Sequence, residues 1–314
     1  MWGVPCIFDK NITFYVHYLT PHLPTPLQPL IDEATERAGI YLYLKRDDLI
    51  HPTISGNKWR KLKFVLRDAQ DNGHKTLLTF GGARSNHLYA TAAAGALLGM
   101  RTIGIVRGEE YTNTSTETLD FCRTQGMYIH AVSREEYRRR TDAGYLEEVK
   151  GTFNHPYLIP EGGTLPLALP GVAELVLETE VQLGSKPTYY AVAAGTGGTA
   201  AGLVSASAST LAFSALKNGG FLKNEILDLV NQEEAENYLQ LFTDYHFGGY
   251  ARHKPDLLAF MDNFEKSHGV PLEHVYTGKM LFGLYNLMDK GFFKKGDTIV
   301  AVHTGGLQGR SHRE

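Results

Sequence analysis

The chain has 314 residues, 43% of them hydrophobic and 21% charged, and a formal net charge of −3. That length suits two domains or one large α/β unit with a full core, and the near-neutral balance gives no electrostatic case for nucleic acid or an anionic membrane surface. Cys6 and Cys122 are the only cysteines and fit neither a disulfide framework nor a metal site, no apolar run is long enough to span a bilayer, and Met1 to Lys10 lacks a secretory pattern, so a cytoplasmic protein without a metal is expected.

Pro21 to Pro29 is proline-rich and reads as an extended lead-in. Tyr41 to Lys45 is a short strand that ends in Arg46-Asp47-Asp48. Ser55-Gly56 is a turn, and an apolar-periodic segment opens behind it with Lys58 at its mouth. Alternation follows: Thr76 to Phe80 a strand, Asn86 to Leu98 an alanine-rich helix, Thr102 to Val106 a strand, Ser115 to Thr124 a helix, Met127 to Val132 a strand, Arg134 to Lys150 a charged helix and Tyr157 to Pro160 a strand. Such alternation implies βαβ units and a mostly parallel sheet. Glu161 to Pro166 breaks the pattern and marks a domain crossing. Beyond it, helices are expected over Pro170 to Val181, Asn224 to Val230, Pro255 to His268 and Met280 to Met288. Strands are expected over Thr188 to Val192, Thr210 to Leu216, Leu239 to Tyr245 and Thr298 to Val302.

Several motifs carry chemistry. A lysine at a Gly-Asn turn that opens a helix feels the positive end of the dipole and loses solvation, and both effects favour the neutral amine. A neutral lysine amine forms Schiff bases. Taken alone, Ser55 to Leu62 is also an ordinary helix start with surface lysines. Gly195-Thr196-Gly197-Gly198-Thr199 follows an apolar strand and precedes a helix. Its glycines let backbone N–H groups approach an anion, so it is a candidate phosphate loop, or else a tight turn of small residues. A dinucleotide fold wants an acidic residue at the end of the next strand, about 20 residues on. Here that strand runs to Leu216-Lys217-Asn218 without a carboxylate, and there is no Walker-type Gly-Lys-Ser/Thr, so a single phosphate on a small cofactor fits better.

Arg84-Ser85-Asn86-His87 closes one strand and opens the next helix, where open α/β sheets bind ligands. Ser85 or Asn86 is a natural N-cap, yet three different polar groups exceed what a cap requires. A serine N–H and hydroxyl suit a carboxylate, an asparagine amide a phenolate oxygen, and a histidine moves protons near neutral pH. His274 to Lys279 and Val302 to Gly306 add Tyr276 for stacking and Thr277 and Thr304 for a ring nitrogen. There is no Gly-x-Ser-x-Gly elbow and no His-Glu-x-x-His helix.

Together these motifs resemble the pyridoxal-phosphate enzymes of the ACC deaminase and D-cysteine desulfhydrase family, from Lys45-Arg46-Asp47-Asp48 to His303-Thr304-Gly305-Gly306. The resemblance implies the tryptophan synthase β-like fold (fold type II), an α/β architecture of two open, twisted, mostly parallel sheets with flanking helices. It implies a large cofactor-binding domain from 1–55 and 163–314, a smaller α/β domain over 56–162, and a homodimer. By position, Lys58 matches the Schiff-base lysine. Asn86 matches the partner of the cofactor's phenolic oxygen, and Gly195, Thr196, Gly197, Gly198 and Thr199 match the phosphate cup. Ser85 matches the group that engages the substrate carboxylate, with His87, Glu161 and Gly162 beside the substrate. Tyr276 matches the tyrosine near the cofactor ring and Tyr250 that of a Gly-Tyr-Gly segment.

ACC deaminases tend to carry Glu and Leu where Thr277 and Thr304 stand here, so both threonines look like the desulfhydrase branch. The implied reaction is elimination and deamination of a small amino acid to a 2-oxo acid and ammonia, D-cysteine desulfhydrase-like. ACC deamination is the alternative, and a non-catalytic binding protein on the same fold is an alternative of another class. A nucleotide-dependent oxidoreductase is disfavoured by the missing carboxylate. The chain departs from the common pattern at Arg84, where Gln is usual, at Leu88-Tyr89-Ala90, where an Arg is common, and at His274-Val275, where Pro precedes the tyrosine. An inward-pointing Arg84 would change which substrate is accepted.

Overall fold

The structure is a computed structural model that describes residues 21–312, so the Met1 to Lys10 reading and Cys6 lie outside the described residues. In chain order, β1 (Leu27–Leu30), α1 (Glu33–Ala38) and β2 (Tyr41–Lys45) come first, then α2 (Asn57–Asp71). The middle of the chain contains β3 (Thr76–Gly82), α3 (Asn86–Leu98), β4 (Arg101–Arg107), α4 (Glu117–Thr124), β5 (Met127–Val132), α5 (Arg134–Arg138), α6 (Ala143–Thr152) and β6 (Tyr157–Ile159). Two short helical turns lead to α7 (Leu169–Leu183), β7 (Tyr189–Ala194), α8 (Gly198–Ser205), β8 (Thr210–Ser214), α9 (Leu222–Val230) and β9 (Leu239–Phe242). α10 (Pro255–His268), α11 (Thr277–Asp289) and β10 (Thr298–Val302) complete the fold.

The strands form two sheets, one of six strands ordered β1-β2-β10-β7-β8-β9 and one of four ordered β5-β4-β3-β6. Every pairing is parallel except β1 with β2. The period-two alternation of a strand explains the apolar runs, because both faces are covered. In β7, β8 and β10, Ala191, Ala193, Leu211, Phe213, Ile299 and Ala301 join the core formed with α10 and α11. Their neighbours Tyr190, Val192, Ala194, Ala212, Val300 and Val302 join the core formed with α7, α8 and α9. The smaller sheet is divided likewise, with Leu77 on the side of α2 and α3 and Leu78 and Phe80 on the side of α6.

Two expected segments differ. The proline-rich lead-in contains β1, which pairs antiparallel with β2 through Pro29 opposite Tyr43. A strand tolerates this proline because β1 is the sheet edge, where one side of the backbone needs no ladder partner. The charged stretch Arg134 to Lys150 is two helices instead of one. Asp142 starts the second by accepting from the Tyr145 N–H at 2.8 Å, a cap that is incompatible with a helix running through it. Cys122 is a buried free thiol whose pKa burial pushes up to about 12, so it is inert packing.

A buried ionic knot fixes α2, the helix that bears Lys58. Asp47 accepts from Arg60 Nε at 2.7 Å and Nη2 at 2.8 Å, and from Thr25 Oγ1 at 2.8 Å. Arg60 also reaches Glu178 on α7 at 3.1 Å, and Glu178 in turn accepts from Lys45 Nζ at 2.6 Å. Lys45-Arg46-Asp47-Asp48 is therefore a clamp between the large sheet, α2 and α7. Among the described residues no helix is long and apolar enough to cross a membrane.

Candidate active site

The strand C-terminal edges of both sheets face a cavity of about 330 Å³. Lys58 is the second residue of α2 and lies on its wall. The turn before it is fixed by Gly56, at φ 63°, where a Cβ would overlap the Thr304 carbonyl. Only glycine combines that positive φ with that approach. Desolvation lowers the Lys58 pKa from 10.5 to about 8, so a substantial share of the amine is neutral near physiological pH.

Gly195 to Thr199 also lines the cavity and opens α8. Gly197 is left-handed, at φ 75°. A Cβ at Gly198 would lie 2.6 Å from Lys61 Nζ, and one at Gly195 would lie 2.8 Å from the Tyr276 ring. The loop is thus a cradle closed by a lysine on one side and an aromatic ring on the other. Thr196 Oγ1 is 2.6 Å from Thr164 Oγ1, and Thr199 Oγ1 accepts from the Asn57 amide at 2.7 Å. Lys61 is 1% exposed, donates to Thr164 Oγ1 at 2.9 Å and pairs with no carboxylate among the described residues. Burial, then the charge of Lys58, pushes its pKa well below 10.5. A buried lysine amine and a helix N-terminus, both without a negative partner among the described residues, converge on one spot, where an arriving phosphate would favour the charged lysine.

Lys61 was not singled out in the sequence, although its spacing of three from Lys58 puts both on one face of α2.

Ser85 caps α3, accepting from His87 N–H at 3.2 Å and Leu88 N–H at 3.3 Å, and it also lines the cavity. Asn86 lies beside it, its amide oxygen accepting from Gln308 at 2.7 Å. His87 lines the cavity but is 2% exposed, with Nε2 held 2.7 Å from Thr79 Oγ1. Burial, reinforced by Lys58 and Lys61, pushes its pKa well below 6.5, which favours the neutral imidazole.

Tyr276 precedes α11, and its ring meets Tyr250 at 6.0 Å between centroids and 68° between planes. Burial, with Tyr250 adding to it, pushes the Tyr276 phenol well above 10, so it remains a neutral hydrogen-bonding group. Tyr250 lines the cavity and keeps 41% of its surface exposed. Its loop is anchored by Lys279, buried on α11, which donates to the Gly249 carbonyl at 2.7 Å. Glu161, Gly162 and Thr304 also line the cavity.

Thr277 does not. It is fully buried, and its hydroxyl donates to Glu273 Oε1 at 3.0 Å. Glu273 also accepts from the N–H groups of Val275, Tyr276 and Thr277, capping the start of α11. This buried carboxylate stands one residue before the His274 to Lys279 motif, and the sequence does not mark it because most of its partners are backbone groups. Arg84 is exposed and off the cavity wall, so it is not the inward cation considered from sequence. Tyr89, within the Leu88-Tyr89-Ala90 segment where an arginine is common, stacks on Phe121 at 3.6 Å. The arginines on the wall are Arg107, at the end of β4, and Arg140, just after α5.

A family model described as pyridoxal-phosphate dependent enzyme matches residues 19–305. The chain is 33% identical to a putative 1-aminocyclopropane-1-carboxylate deaminase of Pyrococcus abyssi, over 92% of this chain and 91% of that one. It is also 33% identical to the mitochondrial bifunctional D-cysteine desulfhydrase/1-aminocyclopropane-1-carboxylate deaminase of Arabidopsis thaliana, over 92% of this chain and 77% of that one. A crystal structure of an ACC deaminase homologue superposes with a TM-score of 0.79 at 30% identity, covering 93% of this chain and 91% of that one.

Proposed function

Since the chain belongs to the pyridoxal-phosphate-dependent enzymes, we propose that it eliminates a β-substituent from a small amino acid and releases a 2-oxo acid and ammonia, in the manner of a D-cysteine desulfhydrase. The observation that carries this reading is the convergence of Lys58, with its lowered pKa, on the same cavity as the Lys61-backed phosphate cradle. The residues present fit the cofactor: the cradle at Gly195 to Thr199 with Lys61 suits its phosphate, Tyr276 its ring, Asn86 its phenolic oxygen and Lys58 its aldehyde. When bound, pyridoxal phosphate supplies an electron sink for the bonds at Cα of an amino acid.

The chain's own residues supply the rest. The N–H groups at the start of α3, with the Ser85 hydroxyl, receive the substrate carboxylate. The Lys58 amine, free once substrate is bound, takes the Cα proton. Its lowered pKa lets it act as a base at neutral pH, where an ordinary lysine would remain protonated. Tyr250 lines the cavity, to which residues from both 56–162 and 163–314 contribute.

Lys61→Met should test the cradle. It removes the buried cation but keeps the volume of the side chain, so the fold should persist while the Kd for pyridoxal phosphate rises roughly 10- to 100-fold, the worth of a charge-assisted hydrogen bond. Titration of the apoprotein measures it, and an unchanged Kd would remove Lys61 from the phosphate site.

The named relatives support two substrates, and a side-by-side assay of 2-oxo acid from D-cysteine and from 1-aminocyclopropane-1-carboxylate separates them. D-Cysteine is expected to be the faster. Of the two threonines that favour this branch, only Thr304 lies on the cavity wall. A glutamate at position 277 would be set against the buried Glu273 carboxylate, so that swap would break the cap instead of tuning the site. Thr304→Leu alone should shift the rate ratio toward the cyclopropane substrate by roughly tenfold, and an unaltered ratio would dismiss Thr304 as a selector. The family likeness also supports a homodimer, which light scattering on the purified protein would read directly.

A further inference from the structure

Arg107 occupies a position that the proposed elimination does not use. It ends β4, in register with Gly82 of β3, and lines the cavity. A Cβ at Gly82 would lie 3.9 Å from Arg107 Nη2, so the guanidinium sits beside the strand end that leads to Ser85. Its guanidinium carbon lies 5.9 Å from the centre of the Tyr137 ring. Among the described residues it forms no ion pair, whereas the other arginine of the wall does. Arg140 Nε donates to Glu161 at 2.5 Å, and the second oxygen of Glu161 accepts from Tyr137 O–H at 2.8 Å. Glu161 is therefore committed twice, and Glu225, the other acid on the wall, makes no ion pair with Arg107.

The cationic needs of the proposed reaction are met elsewhere. Phosphate is served by Lys61 and the start of α8, and the substrate α-carboxylate by the start of α3. Arg107 is exposed at the end of β4, and its unpaired guanidinium, beside the Tyr137 ring and on the cavity wall, is free to take one more anion there. We propose that Arg107 recognises the side chain of the substrate, and that the substrate class is a β-substituted alanine whose substituent is itself anionic, such as a phosphate or a sulfur oxyanion.

This rests on the elimination reading for its chemistry. In that step the Cα–H proton goes to the Lys58 amine and the Cβ–X bond breaks with its electron pair leaving on X. The Cα=Cβ double bond forms, and addition of water to the resulting enamine releases ammonia and the 2-oxo acid. An anionic X is drawn to Arg107 as it departs.

The test is a calorimetric titration of the holoenzyme with each enantiomer of 2-amino-3-phosphonopropanoate and of 2-aminobutanoate. The first carries the charge on a C–P bond that does not eliminate, and the second is its neutral counterpart. One enantiomer of the phosphonate should bind at least about tenfold tighter than its neutral counterpart. Arg107→Gln should erase the preference, Arg107→Lys should regain part of it, and Arg84→Gln, exposed and off the wall, should keep it. No preference in the natural protein, or a preference that survives in Arg107→Gln, would overturn the proposal. Failure of the elimination reading shows separately, as no 2-oxo acid from any β-substituted alanine, charged or neutral.

Discussion

Lys58→Ala is expected to lower turnover by at least about a thousandfold while the protein still folds, since both the anchoring amine and the proton acceptor are lost at once. Lys58 is only the second residue of α2, and its side chain is half-buried at the cavity, so alanine there removes little packing and suits a helix. Its effect should therefore fall on chemistry and cofactor attachment and leave the denaturation midpoint close to that of the natural protein. External amines such as methylamine should restore part of the rate by entering the space left behind. If Lys58→Ala kept substantial turnover, the base would be another group, and Lys61, buried three residues away on the same helix face, would be the first to examine.

Asp47→Ala should have the largest effect on stability. Asp47 is fully buried and receives two bonds from Arg60, itself 1% exposed. Removing one partner of such a pair leaves an under-compensated buried charge, which typically costs about 3–5 kcal/mol. Glu178 still reaches Arg60 Nη2 at 3.1 Å, so the expected loss lies near the lower figure. Chemical denaturation would measure it. Because the same arginine lies on α2, two residues beyond Lys58, cofactor retention should fall along with stability. A midpoint equal to that of the natural protein would show that the knot contributes nothing.

Much of this was legible because both sheets are buried on both faces. Val192 flanked by Ala191 and Ala193 reads as a continuous apolar run, and glycine turns at Gly81-Gly82 and Gly195 to Gly198 mark where strands hand over to helices. Those turns also mark the ligand edge, so Lys58, Ser85, Asn86 and Tyr276, far apart in the chain, meet at one cavity as the motif order implied. α1 was passed over although its signature is plain. Asp32 and Thr35 cap each other's backbone reciprocally, and Gly39 closes the helix at φ 66°. The break between α5 and α6 was equally visible in Asp142 three residues before Tyr145.

Other features were not legible, for a physical reason. Whether Arg84 or Arg107 faces the ligand depends on side-chain direction at two strand ends and on how the strands of the small sheet align, and neither follows from local spacing. The burial of Thr277 behind Glu273 depends on the path of the chain into α11, which takes the threonine away from the wall while its neighbour Tyr276 remains on it. The substrate question has accordingly moved from Arg84 to Arg107 and Thr304.

The most direct check on the role of Lys58 is borohydride reduction of the pyridoxal-phosphate-loaded protein followed by peptide mapping. The pyridoxyl group should be found on Lys58, within the Gly56-Asn57-Lys58-Trp59 sequence, and on no other lysine. A label on Lys61, or a protein that takes up no label at all, would contradict the assignment of this cavity as the active site built around Lys58.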